Sequence, residues 1–114
     1  MAGYSRAVRL GNLVWVSGTT ASDEQGNLQG GDDAYAQARY ILNKIRKALA
    51  EAGAELEHVV RTRIYVRDAA HAEGVARVHG RYFGAVRPVN TLVAIAGLVG
   101  DYEVEIEAEA DVAR

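Results

Sequence analysis

Residues 102–112 read Tyr102-Glu103-Val104-Glu105-Ile106-Glu107-Ala108-Glu109-Ala110-Asp111-Val112, with acidic side chains at every second position. Because successive side chains of a strand point to opposite faces, this stretch predicts a β-strand with one apolar and one acidic face. The apolar face belongs to a core. Carboxylates on one face repel one another, so that face requires water, arginines, a partner subunit or a ligand. Two interpretations stay open: a solvated face with cross-strand ion pairs, or a cleft in which one carboxylate does chemistry.

A second alternating stretch, from His58 to Arg67, carries the opposite charge. One predicted face holds Val59, Arg61, Arg63, Tyr65 and Arg67, and the other holds Val60, Thr62, Ile64 and Val66. Arginines at every second position beside acids at every second position indicate that the two strands are neighbours. Such a pairing favours a structural role for Glu103, Glu107 and Glu109.

The remaining stretches indicate an α+β protein. Gly11-Asn12 is a turn signal, and Gly53 ends the first helix as a left-handed cap would. The segment Leu13-Val14-Trp15-Val16 is apolar on both faces, as in an inner strand that is covered on both sides. The other expected elements are strands Ser5–Arg9 and Leu13–Ser17, a short strand around 27–29, a helix from a cap at Asp32 or Asp33, a helix over about 70–83, a connector Arg87–Asn90 and a strand Thr91–Ala96.

Each predicted helix carries one apolar stripe, which is typical of a helix packed on a core. The stripes comprise Tyr35, Ala38, Leu42, Ile45, Leu49 and Ala52 in the first helix, and Val75, Val78 and Tyr82 or Phe83 in the second. This element order predicts a single mixed sheet with both helices packed on one face. The opposite face mixes charged and apolar side chains, so we expect self-association to cover it.

Composition narrows the functional classes. A chain of 114 residues with 49% apolar and 25% charged residues predicts one globular domain over residues 1–114. The formal net charge of -2 leaves no electrostatic footprint for nucleic acid or an anionic membrane. The absence of cysteine excludes disulfides and thiolate catalysis, and the three histidines lack ligand spacing, so neither a metal site nor a cofactor is expected. Without an apolar leader or membrane-length run, the expected location is cytoplasmic.

Six groups of short segments, taken together, carry a resemblance to a known family. They are Tyr4-Ser5-Arg6-Ala7-Val8 with Gly11-Asn12, Val16-Ser17-Gly18, Val59-Val60-Arg61-Thr62 with Tyr65-Val66-Arg67-Asp68, Tyr82-Phe83, Arg87-Pro88 and Glu103-Val104-Glu105-Ile106-Glu107-Ala108. In this order and spacing they resemble the Rid family, also called RidA, YjgF or L-PSP, over nearly the whole chain. The resemblance implies a chorismate-mutase-like α+β fold and a homotrimer with ligand clefts between subunits. For the best-understood branch it also implies hydrolysis of reactive enamines and imines to 2-oxo acids and ammonia.

The resemblance also implies roles for individual residues. Glu105 matches the acid of the family that orients the attacking water. Tyr4, Ser17 and Gly18 match positions that line the cleft. A glycine at position 18 would let a backbone N–H approach an anionic or carbonyl oxygen.

One position departs from the deaminating branch. Where that branch has an arginine that binds the substrate carboxylate, this chain has Asn90. An asparagine carries two donors and no charge, so it cannot replace a guanidinium fork. Arg87 is a candidate for the missing positive charge, although strand parity points it elsewhere. His79 stands where a tyrosine is usual, and it is either a titrating site residue or a packing residue.

Three functions therefore stay open. The first is a Rid-like hydrolase acting on an imine, an enamine or a related carbonyl–nitrogen compound, with Glu105 on the water. The second is a trimeric module that binds a small metabolite without turnover. The third is the endoribonuclease or translation-inhibitor role attached to this family, and the acidic pI near 5.9 argues against an RNA surface.

Overall fold

The computed structural model describes residues 2–114, which form a five-stranded mixed sheet with two helices packed on it. The strand order is β1-β2-β5-β3-β4, and every neighbouring pair is antiparallel except β3 and β4. The predicted architecture, one mixed sheet with two helices, is confirmed. The elements are β1 (Ala7–Leu10), β2 (Leu13–Thr19), α1 (Ala34–Glu51), β3 (Val59–Val66), α2 (Ala72–Phe83), β4 (Val89–Ala94) and β5 (Val104–Asp111).

Helix α1 is specified by its ends and by its buried stripe. The Asp33 carboxylate accepts the N–H groups of Tyr35 and Ala36, which confirms one of the two predicted caps. Gly53, with φ +82°, follows the helix in the left-handed conformation. The stripe is wider than predicted, since Ile41 is also fully buried while Tyr35 is 38% exposed. The buried residues are Ala34, Gln37, Ala38, Ile41, Leu42, Ile45, Ala48 and Leu49.

Strand β5 confirms the alternation that predicted it. Its apolar side chains at 104, 106, 108 and 110 are buried against α1 and β2, and its acids at 105, 107 and 109 are half-buried on the other face. The face of the sheet that carries these acids, opposite the helices, is called the open face below. Its partner strand is β3, with Arg61 opposite Glu109 and Arg63 opposite Glu107, as the charge pattern predicted.

The predicted faces of β3 are wrong at its start. Val59 is fully buried and Val60 is half-buried, the reverse of the expected order. A register shift between Val59 and Arg61 inserts one extra residue against β5, which moves Val59 to the core side. From Thr62 onward the predicted alternation is correct.

The other corrections concern element boundaries. Around residues 27–29 there is a bridge between Ser22 and Leu28 in place of a short strand. Helix α2 begins at Ala72, after a 3-10 turn at Ala69–His71. Strand β4 begins directly after Pro88, so the connector predicted to include Val89 and Asn90 is two residues too long. These residues pair in parallel with Arg61 and Thr62, and no local sequence signal reveals such a distant pairing.

The open face is only partly covered within one chain. Val14 and Val16 of β2 are buried beneath the helices, whereas Leu13 and Trp15 are 43% and 40% exposed on the open face. The sequence predicted that both faces of β2 are covered, whereas in the isolated chain only the face toward the helices is covered. Neither helix within residues 2–114 is both long and apolar enough to span a bilayer.

Candidate functional site

Three acids of the open face have arginine partners. Glu103 lies 3.4 Å from an Arg67 nitrogen, and an Arg63 nitrogen lies 3.3 Å from both Glu107 and Glu109. Arg61 adds a contact of 3.9 Å to Glu109. In the described part of the chain, the Glu105 carboxylate makes no hydrogen bond or ion pair.

The register of the two strands explains this difference. Tyr65, and not an arginine, lies directly opposite Glu105. Its hydroxyl donates to Glu107 at 2.8 Å and leaves Glu105 without that proton. Glu105 thus differs from the other acids because its cross-strand neighbour is a tyrosine and not an arginine.

The other neighbour of Glu105 is the backbone of Gly18 in β2. Val16 pairs with Ala108 and Thr19 with Ile106, so Ser17 and Gly18 together oppose one residue of β5 in a bulge. A Cβ atom on Gly18 would clash with Oε2 of Glu105. The absence of a side chain at position 18 therefore lets the carboxylate lie against the β2 backbone.

This environment changes the acidity of Glu105. Burial, and secondly the charge of Glu107, raise the pKa of the Glu105 carboxyl above its ordinary value of 4.5. A carboxylate with a raised pKa and free lone pairs is a better proton acceptor than its paired neighbours. Perturbed carboxyls of this kind are typical of functional sites.

A cavity of about 250 Å³ opens on the same face. Trp15 and Ser17 line it from β2, and Arg63, Glu107 and Glu109 line it from the adjacent strands. Its size suits a small metabolite. Tyr4 is 73% exposed, and its neighbour Ser5 also lines this cavity.

A larger cavity of about 490 Å³ lies beside α1, away from the predicted site residues. Lys44 lines it and donates to the carbonyl oxygens of Thr20 and Ser22, both at 2.8 Å. The ammonium therefore holds the loop after β2 against the helix. Neither cavity is lined by Glu105 or Gly18, but the smaller one lies next to them, because their neighbours Ser17 and Glu107 line it.

Asn90 points to the other side of the sheet. It pairs with Thr62, whose side chain is fully buried beneath the helices. The Asn90 amide nitrogen donates to Thr62 Oγ1 at 2.9 Å and lies 3.4 Å from the Thr62 carbonyl oxygen. A carbonyl oxygen can only accept, which fixes this amide orientation. Thr62 in turn pairs with Ala108, so one chain does not bring Asn90 to Glu105.

His79 contacts the same threonine; it is half-buried, whereas Asn90 is exposed and Thr62 is fully buried. Its Nε2 lies 2.8 Å from Thr62 Oγ1, and its ring packs on Phe83 with centroids 4.6 Å apart. Burial lowers the pKa of His79, which favours the neutral ring. Of the two interpretations of this histidine, the contacts within the chain favour packing.

Arg87 lies in the turn between α2 and β4. It is exposed, has a left-handed φ of +57°, and its N–H donates to the Phe83 carbonyl at 2.8 Å. A cluster of Glu55, Glu57 and His58 elsewhere has ligand-like spacing, but His58 Nδ1 accepts the Glu55 N–H at 2.9 Å and so serves as a cap.

Within one chain, Gly18 and the adjacent Ser17 lie beside Glu105. The structure shows no contact between Glu105 and the other predicted site residues, which are Tyr4, Arg87, Asn90 and His79. Sequence reasoning missed Tyr65 as a site residue. The signal was present: tyrosine interrupts the arginines at positions 61, 63 and 67.

Comparison with known proteins identifies the class. The family described as Endoribonuclease L-PSP matches residues 1–112, and the chain belongs to this family. The predicted Rid resemblance is thereby confirmed. A curated relative, 3-aminoacrylate deaminase RutC of Acinetobacter baylyi, is 33% identical over 98% of this chain and 89% of its own length.

Solved structures agree. A member of the YjgF/YER057c/UK114 family from Mycobacterium tuberculosis is 49% identical, covers 97% of this chain and 88% of its own, and gives a TM-score of 0.88. TdcF of Escherichia coli, solved with bound serine, is 25% identical and covers 97% of this chain and 89% of its own, also with a TM-score of 0.88.

Proposed function

We propose that this protein is a hydrolase of a small imine, enamine or related carbonyl–nitrogen compound, and that Glu105 is its general base. The observation that carries the proposal is the Glu105 carboxylate, which has a raised pKa, lies against the Gly18 backbone and has no cation partner in the described chain. The deaminase name of the RutC relative supports the same class of reaction.

In the proposed reaction, the Glu105 carboxylate and one water molecule are the groups that react with the substrate. A water oxygen forms a bond to the C=N carbon, and the π electrons move to nitrogen. Glu105 accepts the water proton and returns a proton to the nitrogen. In the resulting carbinolamine, Glu105 takes the remaining hydroxyl proton and delivers it to the NH2 group, so that the C=O bond forms as the C–N bond breaks and ammonia leaves. The backbone at Gly18 would help to fix the substrate because no side chain blocks its approach.

The site is proposed to lie in a cleft of a homotrimer. Val8, Leu10 and Trp15 are 48%, 66% and 40% exposed on the β1–β2 side of the open face, and Val93 of β4 is 39% exposed. Apolar side chains beside an ion-pair ladder are covered favourably by further copies of the chain. Tyr4, Arg87 and Asn90 are proposed to contact substrate from a neighbouring subunit.

We expect light scattering to give about three times the chain mass of 12.3 kDa across micromolar concentrations. Trp15→Arg, which places a charge on the exposed apolar surface, should lower that mass, while Arg77→Gln on the outer face of α2 should not. A monomer of the unmodified protein would contradict both the cleft and the roles that depend on it.

Binding without turnover is the second candidate. TdcF was solved with bound serine, and the chain has no cysteine nucleophile. An endoribonuclease role is disfavoured, because the open face carries a row of acids and the net charge is -2. Screening the purified protein against small metabolites, with ammonia release measured on each compound that binds, separates the first two candidates.

Gly18→Ala tests the contact between the bulge and Glu105. The added methyl group would require movement of the carboxylate, which ends a flexible side chain, so the melting temperature should change little. Turnover should fall by roughly tenfold or more because the base is displaced. Gly80→Ala is the matched control, because it adds a methyl group into open space on α2. Unchanged turnover in Gly18→Ala would show that catalysis does not depend on this contact.

A further inference from the structure

Tyr65 interrupts an otherwise regular series of cations on the open face. The arginine ladder consists of Arg61, Arg63 and Arg67, and each of these lies within 3.9 Å of an acid from β5 or its start. The third of the four alternate positions 61, 63, 65 and 67, directly opposite Glu105, holds Tyr65. Cross-strand neighbours on one face are close enough for an arginine at this position to reach the carboxylate.

We propose that Tyr65 is a positioning residue, and that its place in the arginine ladder keeps Glu105 free of any cation. The inference rests on the proposed function, in which Glu105 accepts a proton from water. An arginine at this position would favour the ionised carboxylate and fill its lone pairs with guanidinium hydrogen bonds. Such a carboxylate would be a weaker base and would no longer have a free oxygen for water.

The phenol of Tyr65 also controls the nearest acid. Its hydroxyl donates to Glu107 at 2.8 Å, and Arg63 contacts the same oxygen at 3.3 Å. The hydrogen bond to Glu107, together with burial, raises the pKa of Tyr65, so the phenol stays protonated and keeps donating. Tyr65 and Arg63 thereby hold the same oxygen of the Glu107 carboxylate. Within the described chain, the groups that face Glu105 are then Glu107, the Tyr65 ring and the Gly18 backbone.

Titration of the Glu105 carboxyl tests the inference without any substrate. Protein labelled with carbon-13 at glutamate side-chain carboxyls would be titrated by NMR, and the signal missing from Glu105→Gln assigns Glu105. We expect Tyr65→Arg to lower the Glu105 midpoint by about one pH unit or more. Tyr65→Gln is the matched control, because it also removes the ring but adds no charge. Its midpoint should stay near that of the unmodified protein.

Steady-state kinetics on a compound that the protein hydrolyses give the second readout. Tyr65→Arg should move the acid limb of the kcat profile to lower pH and reduce kcat by about tenfold or more, with KM changed only a few-fold. Tyr65→Gln should keep the acid limb in place. Light scattering on both variants checks that the assembly is unchanged.

Each outcome decides. The same Glu105 midpoint in Tyr65→Arg and Tyr65→Gln overturns the inference, and so does a lowered midpoint with unchanged kcat. A lowered midpoint in a protein that turns over no compound supports the control of the carboxylate by Tyr65 and overturns the proposed function. If Tyr65→Arg does not fold, Tyr65→Lys against Tyr65→Met gives the same comparison.

Discussion

Glu105→Gln is expected to abolish turnover, by about 10²-fold or more, while ligand binding stays within a few-fold. Glutamine has nearly the shape of glutamate but cannot accept the proton of water as a base. The measurement is kcat and the dissociation constant for the same compound. If the protein only binds its ligand, the substitution alters affinity alone.

Neighbouring acids give matched controls. Glu103→Gln and Glu107→Gln lie on the same face of the same stretch, but both acids have arginine partners in the structure. A general electrostatic effect would reduce turnover equally in all three variants. Loss of the base itself should far exceed the effect of Glu107→Gln, which acts only through the charge that raises the Glu105 pKa. Equal losses at the three positions would contradict the catalytic role.

Glu105→Gln should raise the stability of the protein at neutral pH although it lowers turnover. Because the folded pKa of Glu105 is raised, its contribution to stability is present below the unfolded value near 4.5 and is lost as pH rises through the folded pKa. The ionised carboxylate therefore destabilises the protein at neutral pH. Glu105→Gln should raise the melting temperature there, and the gain should vanish as pH falls through about 4. Glu107→Gln, which loses partners, should lower it.

Poor activity on 2-aminoacrylate and similar carboxylate-bearing imines is the second large effect expected. The Asn90 amide nitrogen donates one N–H to Thr62 and carries no charge, so it can give a substrate carboxylate at most one hydrogen bond and no ion pair. Relative to an arginine-bearing family member, the loss of a bidentate charged pair should cost about 2–4 kcal/mol, or roughly 30- to 1,000-fold in rate. The measurement is 2-oxo acid release from both proteins, side by side.

Variants at position 90 test the anchor directly. Asn90→Arg should raise the rate on carboxylate-bearing substrates relative to uncharged ones, and Asn90→Gln, which adds length without charge, should not. If the unmodified protein equals the arginine-bearing relative, another cation provides the anchor. Arg87→Gln would then be expected to remove the activity.

Much of the fold could be predicted because its signals are local. Alternation identified β5 and most of β3, and the opposite charges of these strands identified them as neighbours. Asp33 and Gly53 marked the ends of α1 through their backbone requirements. The family resemblance followed from the same segments, and the comparisons confirm it.

Two features of the site could not be read in this way, since both depend on register between distant strands. The shift at Val59 and the bulge at Ser17 and Gly18 each add one residue, and a single added residue exchanges the faces of a strand. Likewise, Asn90 reaches Thr62 only because β4 pairs in parallel with β3. Period-two counting does not anticipate such insertions.

The amino-acid sequence by itself determined which side chains share a face, which strands attract each other, and that one acid of the row matches a family position. Tertiary structure alone decided which acid has no cation partner in the described chain, because pairing energy depends on the residue directly opposite. That neighbour is Tyr65 for Glu105 and an arginine for Glu107 and Glu109. A register shifted by two residues would have placed Arg63 or Arg67 opposite Glu105 and given that carboxyl a different acidity.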